Sequence, residues 1–172
     1  MKKIKLLILD VDGVQTDGRI YYSEKGSQLR AFHVLDGLAV RIALFSGLNI
    51  AIISSKDSEI IKQRAEDIGI IDVFLGDDNK VKQAQYLCEK YNITFKDIAF
   101  MGDDLIDIPL MKLCVFPVAP SNACKEVKQI AKYVAKASGG SGAVREVVEY
   151  LFGSYDWSKA VNTFLQERAS IQ

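Results

Sequence analysis

The chain has 172 residues, 49% of them apolar, and its 22 basic residues balance 22 acidic ones, so the formal net charge is zero. This length is typical of one compact domain, and the balanced charge argues against nucleic acid or a membrane surface as partner. The first apolar run is too short for a signal peptide, and no run approaches the roughly 20 apolar residues of a membrane span. Three widely spaced cysteines lack any metal-binding spacing and favour reduced thiols, so we expect a cytoplasmic protein.

Short apolar runs alternate with amphipathic segments along the chain. The runs that predict strands are residues 4–9, 50–53, 73–75, 98–101, 115–118 and 131–134. Helical periodicity covers residues 57–69 and 80–91, with Ser58 and Asn79 at expected N-caps and Gly69 at an expected helix end. Continuous apolar strands between helices are typical of a parallel sheet covered on both faces. The predicted fold class is therefore α/β, with a doubly wound, Rossmann-like sheet.

Two segments depart from this alternation. Residues 19–34 alternate in polarity around a turn-like stretch at 23–27, which predicts a β-hairpin that projects from the sheet. Residues 138–142 are rich in glycine and are interpreted as a flexible hinge before a helix at about 143–151. Residues 1–152 are assigned to a single domain, and residues 153–172 to either a docked final helix or a mobile arm.

Polar residues follow four of the predicted strands at their carboxyl ends, where ligands bind in open α/β sheets. In chain order these residues are Asp10 and Asp12, then Ser54, Ser55 and Lys56, then Lys80, and finally Asp103, Asp104 and Asp107. Two carboxylate clusters on one rim would repel each other unless a cation lay between them, and oxygen ligands of this kind suit Mg²⁺. A lysine and a hydroxyl group on the same rim suit a phosphate group.

As a set, D-x-D-G-V-x-T-D-G at residues 10–18, the strand end at Ser54, Lys80, and G-D-D-x-x-D at 102–107 resemble the signature motifs of haloacid dehalogenase-superfamily phosphatases. The resemblance covers almost the whole chain and implies that family's core fold. It implies that Asp10 is the nucleophile, which forms an aspartyl-phosphate, and that Asp12 is general acid and then general base.

The same resemblance implies a ligand set for Mg²⁺. The carboxylate of Asp10, the backbone carbonyl of Asp12 and Asp103 would hold the ion, supported by Asp104 and Asp107. Ser54 and nearby backbone N–H groups would bind the phosphoryl oxygens, together with Asp12 and Lys80, and Lys80 would offset charge on the transferring group.

The spaces between these motifs leave no room for a folded cap domain. The hairpin, F-H-V-L-D-G at 32–37, and the segments 63–70 and 139–146 are similar to the 3-deoxy-D-manno-octulosonate 8-phosphate phosphatases, a family of lipopolysaccharide inner-core sugar synthesis. That resemblance implies a homotetramer in which hairpins cover neighbouring sites. The residues that would line the sugar-acid site are His33, Val34, Leu35, Asp36, Gly37, Ser55, Lys56 and Arg64.

Other interpretations of these residues stay open. His33 is more often a packed strand residue than a catalytic one, and Arg64 could be a solvated helix residue. Gln15 replaces an apolar residue of the family pattern, and Ser55-Lys56 replaces Gly-Arg, so the planar two-donor geometry of arginine is lost.

Three functions remain as hypotheses. Relatives that act on nine-carbon sugar acid 9-phosphates (2-keto-3-deoxynonulosonate or N-acetylneuraminate) tend to carry an acidic residue at position 56, so Lys56 favours the eight-carbon 8-phosphate. A nine-carbon substrate is the first alternative. A non-catalytic oligomerisation module is the second, although such a module has no reason to keep two carboxylate clusters together.

Overall fold

The structure is a computed structural model that describes residues 4–26 and 28–170. The strands are β1 (Leu6–Leu9), β2 (Tyr21–Tyr22), β3 (Gln28–Leu29), β4 (Asn49–Ser54), β5 (Asp72–Leu75), β6 (Ile98–Met101), β7 (Phe116–Ala119) and β8 (Tyr133–Val134). The α-helices are α1 (Val34–Phe45), α2 (Glu59–Ile68), α3 (Lys80–Tyr91), α4 (Ile108–Leu113), α5 (Lys125–Ile130) and α6 (Ala143–Ala169), and short 3₁₀ turns lie at Phe95–Asp97 and Leu105–Asp107.

Six of the strands form one parallel sheet in the order β5-β4-β1-β6-β7-β8. β1 lies at its centre, where Leu7 is in register with Ile50 of β4 and Ala99 of β6. All four residues of β1 are buried, which explains their continuous apolar sequence. The carboxyl ends of all six strands therefore lie along one edge of the sheet.

Two hydrophobic clusters cover the two faces of the sheet. Leu7 and Leu9 of β1 pack in the cluster that contains α1, α2 and α6, whereas Leu6 and Ile8 pack in the cluster that contains α3, α4 and α5. Successive side chains of a strand point to opposite faces, so β1 contributes to both clusters. The predicted doubly wound α/β fold is confirmed.

The described residues include no cap domain. Between β1 and β4 the described chain forms the hairpin and α1, and between β4 and α3 it forms α2 and β5. None of the described helices is both long and apolar enough to cross a membrane.

The helix ends agree with the sequence in two of three places. The Asn79 side chain accepts a hydrogen bond from the Lys82 backbone N–H and caps α3, and Gly69 ends α2 in the left-handed conformation at φ 82°. Ser58 occupies the N-cap position of α2 without a capping hydrogen bond from its side chain.

The hairpin is shorter than predicted. Its antiparallel strands β2 and β3 have two residues each, and Ser27 of the predicted turn lies outside the described residues. His33 is the N-cap residue of α1, and Val34 begins that helix, so the strand assignment of both was wrong. The polarity alternation continues past β3 because Arg30 and Phe32 face inward where the chain returns to the sheet.

The segment after Gly153 is a docked helix as far as it is described. α6 continues to Ala169 with a kink at Gly153, whose backbone is not helical (φ 71°, ψ 161°). Beyond the kink, Trp157, Ala160 and Phe164 are buried in the cluster that contains α1. The mobile-arm alternative does not describe residues 153–170, while residues 171 and 172 lie outside the described residues.

Candidate active site

The sheet edge formed by the carboxyl ends of the strands gathers the acidic residues of the sequence motifs. Asp10 directly follows β1, Asp103 lies two residues beyond β6, and Lys80 is the first residue of α3. The side chains of Asp10 and Lys80 are 9% and 1% exposed, and Asp107 is fully buried. Charged groups are rarely buried unless they are paired, so this cluster calls for a set of compensating contacts.

Lys80 supplies part of that compensation. Its Nζ lies 2.9 Å from Oδ2 of Asp10 and 2.6 Å from Oδ1 of Asp107. The other oxygen of Asp107 accepts backbone N–H groups of Asp103 at 2.8 Å and Asp104 at 3.2 Å. Asp107 therefore holds both Lys80 and the loop that carries Asp103, and both of its oxygens are engaged.

The carboxylates still lack positive charge. Oxygen atoms of Asp10, Asp103 and Asp107 lie within 4.8 Å of one another. Burial raises the pKa of Asp103 to about 7 and that of Asp10 to about 6, and the neighbouring carboxylates add to both shifts while Lys80 opposes them. Burial works against the charge of Lys80, but Asp10 and Asp107 outweigh it and raise the pKa of Lys80. A hard divalent cation among oxygen ligands would remove the repulsion, so the residues fit Mg²⁺.

Two glycines leave room for the acidic side chains. Gly13 has φ +87°, and a Cβ added there would lie 2.0 Å from Oδ2 of Asp103. A Cβ at Gly102 would lie 2.5 Å from Cγ of Asp107. The glycines of both motifs are thus required by the close approach of the carboxylates.

Asp12 has a partner that sequence reasoning missed. Nε and Nη2 of Arg30 donate to the two carboxylate oxygens of Asp12 at 2.8 and 3.1 Å. The Arg30 side chain is only 1% exposed. No sequence motif marked this residue, because it stands within the alternating hairpin segment, where charged residues are usually solvated.

The residue that departs from the family pattern beside Asp10 has a clear contact. Gln15 is buried, and its Nε2 donates to the backbone carbonyl of Asp10 at 3.1 Å. An apolar residue could not make this bond. Gln15 therefore ties the loop to the end of β1.

The end of β4 carries the predicted phosphate-binding residues. Ser54 is buried and its Oγ accepts the backbone N–H of Lys56 at 3.4 Å. The buried Oγ of Ser55 has no hydrogen-bond partner among the described residues, and the Lys56 side chain is exposed. Their roles in phosphate and substrate binding stay predictions.

Arg64 lies beside the segment predicted to line the sugar-acid site. Its Nη2 donates to the backbone carbonyl of His33 at 3.2 Å, and its guanidinium lies 5.2 Å from the ring centre of Phe32. A Cβ at Gly37 would lie 2.5 Å from that same Nη2. Within the described chain, Nε of Arg64 and Nδ1 of His33 are buried without a hydrogen-bond partner.

Of the other residues in the segment 33–37, some are exposed to solvent and one is hydrogen-bonded to α6. Val34 and Leu35 are exposed at the start of α1. The buried carboxylate of Asp36 instead accepts backbone N–H groups of Arg145 at 2.8 Å and Gly142 at 3.4 Å, at the N-terminus of α6. Asp36 therefore ties α1 to α6, and its contact with substrate stays a prediction.

Asp104 lies outside the carboxylate cluster. Its exposed side chain accepts the backbone N–H of Leu105 at 2.8 Å and caps the 3₁₀ turn Leu105–Asp107. The Asp104 backbone N–H donates to the Asp107 carboxylate at 3.2 Å, and its backbone carbonyl accepts the Asp107 N–H at 2.9 Å.

The glycine-rich segment is packed against the loop after β1, so its interpretation as a flexible hinge was wrong. A Cβ at Gly139 would lie 1.9 Å from the carbonyl oxygen of Gly13, and the Gly140 N–H donates to the Val14 carbonyl at 3.2 Å. Asn122, also missed in the sequence, donates to the Gly13 carbonyl at 2.9 Å and accepts from the Gly139 N–H at 2.6 Å.

A cavity of about 980 Å³ lies elsewhere. It is lined by the starts of β1 and β4 and by both halves of α6, at the amino ends of the strands. None of the predicted site residues lines this cavity. We therefore place the candidate active site at the carboxylate cluster and not in the cavity.

Comparisons with known proteins agree with this geometry. A family model for haloacid dehalogenase-like hydrolases matches residues 42–147. The 3-deoxy-D-manno-octulosonate 8-phosphate phosphatase of Escherichia coli K12 is 41% identical over 150 residues, 87% of this chain and 80% of that protein. The corresponding Yersinia pestis structure has a TM-score of 0.86 and 37% identity, over 87% of this chain and 81% of that one. The Moraxella catarrhalis enzyme in complex with magnesium, phosphate and KDO has a TM-score of 0.86 and 35% identity, over 99% and 95% of the two chains.

Proposed function

This chain belongs to the haloacid dehalogenase-like hydrolases, and within them to the 3-deoxy-D-manno-octulosonate 8-phosphate phosphatases, and we propose that it shares their activity. The reaction is the Mg²⁺-dependent hydrolysis of 3-deoxy-D-manno-octulosonate 8-phosphate to the free sugar acid and phosphate, in lipopolysaccharide inner-core synthesis. The observation that carries the proposal is the cluster of buried Asp10 and Asp107 and half-buried Asp103, with Lys80 paired to the two buried carboxylates.

Mg²⁺ would be held by Asp10, Asp103 and the backbone carbonyl of Asp12, the oxygen ligands at the edge of the sheet. The ion supplies positive charge that offsets the phosphoryl oxygens and the clustered carboxylates. The raised pKa values of Asp10 and Asp103 support this assignment, because both groups are strained as anions when no cation compensates them.

Asp10 is the nucleophile of the proposed reaction. Its carboxylate oxygen attacks phosphorus and forms an aspartyl-phosphate, while Asp12 gives a proton to the departing sugar oxygen. In the second step Asp12 takes a proton from the water that attacks the aspartyl-phosphate. Lys80, held by Asp10 and Asp107, offsets charge on the nucleophile and the transferring group.

The sugar acid would be recognised near Lys56 and Arg64. Arg64 stands beside His33, its Nε has no hydrogen-bond partner among the described residues, and Lys56 is exposed at the end of β4, so both could meet a carboxylate. Val34 and Leu35 are exposed on the same segment as His33 and would contact the sugar chain.

Phosphate release tests this function directly. Purified protein with Mg²⁺ should hydrolyse the eight-carbon 8-phosphate with a kcat/KM at least about tenfold above that for either nine-carbon 9-phosphate. A preference for a nine-carbon substrate would refute the substrate assignment alone. Silence on all three substrates and on p-nitrophenyl phosphate would refute the enzymatic function.

We also propose that the protein is a homotetramer whose hairpins cover neighbouring sites. The proposal is supported by the resemblance and by three exposed apolar side chains on the hairpin, those of Tyr21, Tyr22 and Leu29. Light scattering after gel filtration should give about four chain masses, and the double variant Tyr22→Ser/Leu29→Ser should shift the population toward smaller species. A wild-type monomer would contradict it.

The proposed place of action is the cytoplasm. All three cysteines, Cys88, Cys114 and Cys124, are free thiols, as is usual in a reducing compartment. Cell fractionation with an antibody against the protein tests this, and recovery from the periplasm would contradict it.

A further inference from the structure

The side chain of Arg30 is buried, although the hairpin that precedes it is largely exposed. Tyr21, Tyr22 and Leu29 of the hairpin strands are all more than half exposed, yet the side chain of Arg30, directly after β3, is 1% exposed. Removing a guanidinium from water is costly unless its charge is paired. The buried guanidinium of Arg30 must therefore have a charged partner.

That contact fixes both oxygens of one carboxylate. Nε of Arg30 lies 2.8 Å from Oδ1 of Asp12 and Nη2 lies 3.1 Å from Oδ2, the two-pronged arrangement that defines a carboxylate's plane as well as its place. Nη1 donates to Oε1 of Gln28 at 3.1 Å and Oγ of Ser58 at 3.4 Å. The guanidinium is itself held by the hairpin and by the start of α2.

We propose that Arg30 is a positioning residue that orients Asp12 for proton transfer, an inference that rests on the proposed function. Each of its three nitrogens donates to a protein group and its side chain is 1% exposed, so Arg30 acts through Asp12 rather than on the substrate. In the first step the bond from Asp10 to phosphorus forms, the bond from phosphorus to the sugar oxygen breaks, and the Asp12 proton moves to that oxygen. Within this first step, only the proton transfer depends on the orientation of Asp12. The later proton transfer from water to Asp12 is common to all substrates and follows the step that kcat/KM reports.

The leaving group therefore provides the test. A sugar alkoxide needs a proton to depart, whereas p-nitrophenolate departs readily without one. In Arg30→Met, kcat/KM for the sugar 8-phosphate should fall about 10- to 100-fold, with KM within about threefold of wild type, while kcat/KM for p-nitrophenyl phosphate should fall less than about threefold. Arg30→Lys keeps the charge without the fork and should show an intermediate loss on the sugar phosphate alone.

Arg19→Met is the matched control, because it removes a hairpin-side arginine whose side chain is 75% exposed and contacts Asp17 rather than Asp12. It should behave as wild type on both substrates. Thermal melting of every variant establishes that it is folded.

The outcomes separate the two proposals. If wild type turns over neither the sugar phosphate nor p-nitrophenyl phosphate, the proposed function fails. If wild type is active, three results would overturn the role of Arg30 alone: equal losses on both substrates, a raised KM at unchanged kcat, or no loss in folded Arg30→Met.

Discussion

Asp10 is a buried carboxylate that is also proposed to react with the substrate. Its side chain is 9% exposed, contacts Lys80, and has a pKa raised to about 6 chiefly by burial. A residue that served stability alone would be better replaced by an apolar one of similar volume. The cost of burying Asp10 is therefore expected to serve the reaction.

Replacing Asp10, the proposed nucleophile, separates its effect on stability from its effect on the reaction. Asp10→Asn should lower kcat by about 10³-fold or more, because the amide cannot form the aspartyl-phosphate. Its thermal midpoint without metal at pH 8 should equal or exceed that of wild type, because one strained charge is gone. Phosphate release and thermal melting measure the two effects, and residual turnover near the wild-type rate would refute Asp10 as nucleophile.

The same residues predict how stability depends on pH. The pKa values of Asp10 and Asp103, about 6 and about 7 when folded, lie above the unfolded value near 4, so the folded protein binds protons more tightly. The stabilisation is complete below that unfolded value and is lost as the pH rises through 6 to 7. The metal-free protein should therefore melt at lower temperature at pH 8 than at pH 5.5.

Magnesium should reverse this loss. Because its ligands must be ionised, the gain in thermal midpoint from Mg²⁺ should be larger at pH 8 than at pH 5.5. Asp103→Asn is the comparison that isolates the site, since it should flatten both trends relative to wild type. A wild-type gain from Mg²⁺ that is equal at the two pH values would contradict the assignment.

Among the elements of the fold, the loop after β1, the loop after β7 and the loop before α6 contact one another through hydrogen bonds and close backbone packing. Asn122 bridges the carbonyl of Gly13 and the N–H of Gly139, and Gly139 is in such close contact with Gly13 that no side chain fits between them. The loop after β1, which carries the proposed nucleophile, is thus supported by a segment more than 100 residues later in the chain.

Gly139→Ala tests that support. The new Cβ would meet backbone atoms, which cannot move aside cheaply, so we expect roughly 2–4 kcal/mol lower stability and at least about a tenfold loss of kcat/KM. The matched control is Gly142→Ala in the same loop, where φ is +100° but no atom lies within 4 Å of the added Cβ. That variant should cost only about 1 kcal/mol from backbone strain, with activity near wild type. Urea unfolding and phosphate release distinguish the two, and equal behaviour would argue against the contact.

At the scale of the whole molecule, the second half of α6 closes the cluster on the α1 side of the sheet. Trp157 packs against Phe152 with ring centres 5.9 Å apart, and Phe164 packs against Phe45 at 5.5 Å. The guanidinium of Arg145 lies 4.9 Å from the Trp157 ring centre. The final helix is therefore part of the core rather than an appendage.

Trp157→Ala should accordingly lower the free energy of unfolding by about 3–5 kcal/mol, because it empties a large volume in the core. Tyr155→Ala, two residues away and 83% exposed, should change it by less than about 0.5 kcal/mol. Both should keep the wild-type KM, since neither residue lies among the carboxylates. Urea unfolding measures both variants. If the free energy of unfolding fell by a similarly small amount in the two, the second half of α6 would contribute little to stability.

The sheet, its edge and most of the acidic residues gathered there could be predicted from the sequence. Continuous apolar strands such as β1 can exist only where both faces are covered, and polar residues directly after such strands must lie at one edge. Asp10, Lys80 and Asp103 could therefore be named from local pattern alone, and the apposition of Lys80 with Asp10 and Asp107 agrees with it.

The contacts that join distant segments could not be predicted in this way. Arg30 on Asp12, Asn122 between two loops, and Asp36 on the N-terminus of α6 each depend on where the chain returns in space. A single sequence shows which residues carry charged or hydrogen-bonding groups. It does not show their partners, because these lie tens of residues away in the chain and are brought close only by folding. For that reason the sequence carried no signal for Arg30, and the packed glycine loop was interpreted as flexible.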